Sequence, residues 1–147
     1  MKRFDWNNAL LTGDPRVDEQ HKMLFVLAAK FNASIVSGGS PAVTVKLIED
    51  LVNYVVLHFK CEEEWYQEAN LPTLSEHNAH HEDMKRQLVR RIIAIKNGQI
   101  PMTADVAIFF DKWIRHHILV EDLNAITWCK RQNEKLVAAG TLPQASK

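Results

Sequence analysis

Apolar residues recur at intervals of three and four along four long stretches of the chain. Leu24, Phe25, Ala28 and Phe31 form one such stripe, and Leu51 and Val55 open a second. Met84, Leu88, Ile92 and Ile95 form a third, and Phe110 with Trp113 or Ile114 a fourth. That period belongs to amphipathic α-helices with one face turned to a core. The two-residue alternation of a half-buried strand does not persist anywhere. Gly and Pro punctuate the chain at "TGDPR", at "SGGSP" (37–41), at "ANLP" (69–72) and at "NGQIPMT" (97–103). Ser40 before Pro41, and Thr103 before "ADVA" with Asp105 in the first turn, have the chemistry of helix starts. Four helices with short connections predict an all-α, up-down-up-down antiparallel four-helix bundle. A single domain over 1–147 is expected, with an N-terminal arm over 1–17, the bundle over 18–130 and a short C-terminal extension over 131–147.

Polar residues interrupt these stripes at corresponding places. His21 stands one turn before Leu24 and Phe25. His58 and Glu62 continue the stripe of Leu51 and Val55 towards Trp65. His77 and His81 lead into Met84, and His117 lies between Phe110 and Val120 on the fourth stripe. Five histidines and Glu62 are thus expected to face one interior. His80 shares its face with Gln87 and Arg91 and is expected in solvent. His116, one turn after Lys112, is expected in solvent or at the boundary. Glu63 and Glu64 fall off the stripe and are expected to be solvated.

One histidine on an apolar stripe is ordinarily a hydrogen-bonded core residue. Five on converging stripes are harder to satisfy, because the helix backbone around them is already paired. A metal supplies partners to all five at once. The pairs His58/Glu62 and His77/His81 also have the i,i+4 spacing that lets two side chains of one helix reach a common point. Spacing alone would pair His117 with Glu121. Asp122 lies about 140° round an ideal helix from it.

Composition narrows the function classes. Apolar residues make up 46% and charged residues 24%, an ordinary globular balance. A formal net charge of +0 argues against a nucleic-acid partner or a polybasic membrane patch. No apolar run has membrane-spanning length. The basic pair near the start is followed by no apolar leader, so a cytoplasmic protein is expected. Cys61 and Cys129 fall in helical pattern without a C-x-x-C and fit free thiols.

Taken together, "W…TG…VDEQHKMLF", "HFKCEEEWY", "HNAHHEDM" and "WIRHHILVED" resemble the hemerythrin family, in its single-domain bacterial branch. The resemblance runs from about Phe4 to about Lys130. It implies two iron ions, Fe2+ or Fe3+, joined by an oxo or hydroxo bridge. The ligands it implies are His21, His58, Glu62, His77, His81, His117 and Asp122, so at the fourth helix it selects Asp122 over Glu121. It places His77, His81 and His117 on one iron and His21 and His58 on the other. With both carboxylates and the oxo or hydroxo group bridging, the resemblance fills all but one of the octahedral positions of two irons. Dioxygen is the partner that vacancy implies. Leu24, Phe25, Trp113 and Ile114 lie within a turn of these positions and are candidates for an apolar oxygen pocket. Imidazole with carboxylate suits iron, and the scarcity of carboxylates relative to ferritin-like sites favours binding over oxidation. Reversible oxygen binding for storage, delivery or scavenging is therefore expected, rather than catalysis. Oxygen or redox sensing, enzymatic turnover of peroxide or nitric oxide, and metal storage are the alternatives.

Overall fold

The computed structural model describes residues 4–99, 101 and 103–140. A single turn over Asn8–Leu10 precedes the long helices α1 (Pro15–Val36), α2 (Pro41–Glu68) and α3 (Leu74–Lys96). The fourth arm is compound. It comprises α4 (Ala104–His116), a π-helical segment over His117–Asp122, and α5 (Leu123–Ala138), which follow one another without a loop. α1 packs on α2 and α4, and α2 packs on α3. This is the all-α four-helix bundle. The first helix starts at Pro15 rather than after residue 17, and the last runs on to Ala138, past residue 130.

Local chemistry sets the helix starts. Ser40 accepts a hydrogen bond from the backbone N–H of Val43 at 3.3 Å, ahead of Pro41 at the first helical position. Asp14 does the same for Arg16 at 3.0 Å, ahead of Pro15. Thr103 precedes α4 without a side-chain cap bond. Asp18, buried in the first turn of α1, accepts from the backbone N–H and the hydroxyl of Thr12, both at 2.8 Å, and from Gly13 N–H at 3.2 Å. The "TG" turn is thereby tied to the helix that carries His21. Gly13 has φ +92°, a conformation that favours glycine.

The core is divided along the bundle axis. A large apolar cluster includes Leu24, Phe31, Leu51, Val55, Phe59, Leu88, Phe110 and Ile114. A smaller one contains Val17, Tyr66, Leu71, Ala125 and Ile126. On each helix the candidate polar residues fall between the two: His21 between Val17 and Leu24, Glu62 between Phe59 and Tyr66, His117 between Ile114 and Ala125.

One stripe departs from its expectation. Val120 is 45% exposed, and Ile118 is buried in its place. The cause is the π segment, whose backbone bonds reach to i+5 rather than i+4 and so shift the helix phase by about one residue. Trp65 and Trp113 are half-buried at the margins of the core, whereas Ile114 is fully inside.

Candidate metal centre

The bundle brings His21, His58, Glu62, His81, His117 and Asp122 together with side chains at most 1% exposed. His77 joins them at 10%. Asp122 arrives through the wide turn: with i+5 closure it returns to the face of His117, its Oδ2 lying 2.8 Å from His117 Nε2 and from His21 Nε2. Local deformation of the helix is what admits an i+5 pair.

Glu62 divides its two oxygens. Oε1 lies 2.7 Å from His58 Nε2 and 3.6 Å from His21 Nε2. Oε2 lies 3.3, 3.6 and 3.8 Å from Nε2 of His81, His117 and His77. Asp122 reaches all but one of the five imidazoles, with Oδ1 3.8 Å from His77. Two groups of donor atoms can each surround one ion: His21, His58, Glu62, His117 and Asp122, and Glu62, His77, His81 and Asp122. Both carboxylates belong to both groups. His117 goes with His21 and His58 by proximity through Asp122, but with His77 and His81 by its Glu62 oxygen.

Despite this crowding, Nε2 of His58, His77, His81 and His117, both Glu62 oxygens and Asp122 Oδ1 make no hydrogen bond. Buried polar atoms are normally paired. Lone pairs that converge on common points rather than aligning with one another are what a metal-binding donor set presents. The mixture of imidazole and carboxylate suits iron, so the residues fit the group.

Outer contacts fix the rings. His58 Nδ1 donates to Gln20 Oε1 at 2.7 Å, His81 Nδ1 to Glu63 Oε1 at 3.1 Å, and His117 Nδ1 to Glu121 Oε2 at 2.8 Å. With Nδ1 held by these outer partners, Nε2 is the ring nitrogen that faces the interior. Glu63 is therefore not simply solvated as expected; it is half-buried against His81, and only Glu64 stands in solvent. Glu121 faces the outer nitrogen of His117 rather than the cluster. Phe59 lies over His81, ring centroids 3.9 Å apart and nearly parallel at 5°. Trp113 stacks on His117 at 6.2 Å. Sequence periodicity missed Gln20, Glu63 and Phe59. Each is a direct neighbour of a stripe residue, and that adjacency was the available signal. His80 and His116 have side chains 47% and 66% exposed: His80 is in solvent as expected, and His116 falls on the solvent side of its expectation.

The electrostatics follow from this packing. Burial alone would lower the His58 imidazole, but the charge of Glu62 and the contacts with Asp122 and Glu62 outweigh it and raise it to about 9. His117 is likewise held well above its ordinary value, because the Asp122 carboxylate overcomes the effect of burial. Glu62 is held well below the ordinary carboxylate range: burial pushes it up, but the charge of His58 and the contacts from His117, His21 and His58 prevail. A metal must displace the protons these imidazoles hold. Metal uptake by the stripped protein at pH 7 is thus expected to release protons, and the release should shrink above pH about 9. Titration in weakly buffered indicator solution measures it; a release independent of pH across that range would show that His58 is not raised.

A family model described as the hemerythrin HHE cation binding domain matches residues 12–129. The chain belongs to the hemerythrin family. Among curated hemerythrins, a "Hemerythrin-like protein" of Naegleria gruberi is 26% identical over 82% of this chain and 88% of its own. A "Bacteriohemerythrin" of Methylococcus capsulatus is 27% identical over 69% of this chain and 76% of its own. A crystal structure of a hemerythrin point variant superposes with a TM-score of 0.80 at 25% identity, covering 88% of this chain and 98% of that one. Wild-type hemerythrin gives 0.75 at 26% identity, covering 81% and 92%. Non-haem iron and oxygen binding are properties of the hemerythrin family. Among the described residues, no helix of this hemerythrin-family chain is long and apolar enough to cross a membrane.

Proposed function

We propose that this chain binds dioxygen reversibly at a non-haem di-iron centre, for storage, delivery or scavenging of oxygen. Its ligands would be His21, His58, Glu62, His77, His81, His117 and Asp122. The observation that carries this is the division of Glu62, with Oε1 towards His21 and His58 and Oε2 towards His77, His81 and His117. A carboxylate so placed suits two ions rather than one. The unequal sharing of imidazoles would leave the His21/His58 side with fewer protein donors, and so with room for a small molecule.

When bound, an iron pair supplies reversible electron exchange with dioxygen. The chain's own contribution is positional and electrostatic. Five neutral imidazoles against two carboxylates limit the anionic charge that would favour oxidising chemistry. Gln20, Glu63 and Glu121 hold the Nδ1 protons of His58, His81 and His117, and so keep each ring's inner nitrogen free. Leu24, Phe25 and Ile114 are at most 2% exposed. With Trp113 and Phe59 they would form the dry wall that keeps water and its protons from the bound gas.

The deciding experiment is a visible spectrum. The purified protein is reduced without air, then exposed to air, then degassed. A charge-transfer band that comes with oxygen and leaves with it, at an iron-to-protein ratio near about two, supports oxygen carriage. Immediate passage to a stable ferric form would favour a redox sensor or an enzyme. Zinc without colour would remove the di-iron assignment. Within this proposal, Trp113→Ala is expected to hasten irreversible oxidation of the oxygen-loaded protein by about tenfold, because it opens the wall beside His117. Repeated spectra over hours measure this, and an unchanged rate would take Trp113 out of the pocket.

A further inference from the structure

A cleft in the surface has the interior residue His77 in its lining. Its volume is about 560 Å³, and Glu76, His77, His80 and Glu121 contribute to its lining. His77 is the one interior histidine that retains exposure, 10% against at most 1% for the others. At the mouth, His80 Nε2 contacts Glu121 Oε1, and His116 Nε2 lies 3.8 Å from the same oxygen. The other oxygen of Glu121 is occupied by His117 Nδ1. Glu76 stands one turn before His80 on α3, in the i,i+4 relation that lets two side chains meet.

An exposed histidine–carboxylate pair contributes little to stability. The same groups are well suited to a divalent ion of the late first transition row, which takes imidazole and carboxylate together. They are poorly suited to calcium or magnesium, which prefer all-oxygen sites. A buried metal centre also needs a route inward, and here the route begins at imidazole and carboxylate and ends at an interior imidazole.

We propose that this cleft is a capture site for divalent transition-metal ions, through which the interior is loaded, with His80, Glu121 and Glu76 as the capturing groups. The ion is held first at the mouth, with water completing its shell, and is then passed to His77. The proposal rests on the metal-centre assignment above, because it supplies that centre.

The test uses the full chain, stripped by chelation under reduction and refilled anaerobically with Fe2+. Iron retained after rapid desalting is followed with time. Glu121 is left intact because it holds His117. In the double variant His80→Ala/Glu76→Gln, uptake is expected to be roughly tenfold slower than in wild type, the size by which loss of a metal's outer partners lowers its affinity. The final iron content and the Tm of the loaded protein should equal those of wild type. Equal uptake rates would overturn the capture site alone. A lowered final content at an unchanged rate would also overturn it, by placing His80 in the interior's own ligand set. Failure of the wild type to take up Fe2+ would remove the metal centre together with its loading route.

Discussion

Glu62→Ala is expected to yield a protein that retains almost no iron and unfolds far more easily. Each Glu62 oxygen faces a separate set of imidazoles, so truncation removes the one side chain that addresses all five rings. His58 and His117 owe their raised protonation to Glu62 and Asp122. Without Glu62, buried positive charge is left with half its compensation. Breaking a buried pair in this way typically costs about 3–5 kcal/mol. Glu62→Gln separates shape from charge, since it fills the same volume between Phe59 and Tyr66. If iron content, measured by metal analysis, fell for Ala but not for Gln, the role of Glu62 would be packing rather than ligation.

Stripping the metal from the wild-type protein should have the second largest effect. A ligand bound only by the native state at about a thousand times its Kd adds about 4 kcal/mol. In a domain of this size each kcal/mol moves Tm by roughly 2–4 °C. Chelation under reducing conditions is thus expected to lower Tm by about 8–16 °C. The structural reason lies in the interior, where inner nitrogens and carboxylate oxygens lack aligned hydrogen-bond partners. A shift under about 3 °C in paired thermal scans would mean that these groups satisfy one another without an ion.

Much of this arrangement was legible in the sequence because helices are periodic. His21, His58, Glu62, His77 and His81 sit where intervals of three and four put them, on stripes whose apolar members are buried. Periodicity failed where the helix ceased to be α. Across His117–Asp122 it favoured Glu121 and Val120 for the interior, whereas the structure brings in Asp122 and Ile118. The family resemblance supplied Asp122; nothing in the spacing did. The partners of the outer ring nitrogens were illegible for a different reason. Glu63 serves a histidine on α3, and Gln20 serves one on α2. Which helix stands opposite which, and at what height, is a property of packing. His80 was expected in solvent and its side chain is 47% exposed, but its contact with Glu121 depends on where α3 and the π segment meet.

The wide turn in the fourth arm also has a consequence for how that arm can vary. An α-helix behaves as a single screw: one residue gained or lost turns everything beyond it by about 100°. Here the surplus residue is stored at the polar layer, so α4 and α5 are two screws set out of phase. α4 is threaded to the large cluster through Phe110 and Ile114, and α5 to the small one through Ala125 and Ile126. Losing one residue between His117 and Asp122 would leave both helices intact as helices. It would let the wide turn close as an ordinary α turn, with Asp122 four residues after His117 and Ala125 and Ile126 still facing Tyr66 and Val17. The same loss within α4 would turn everything beyond it.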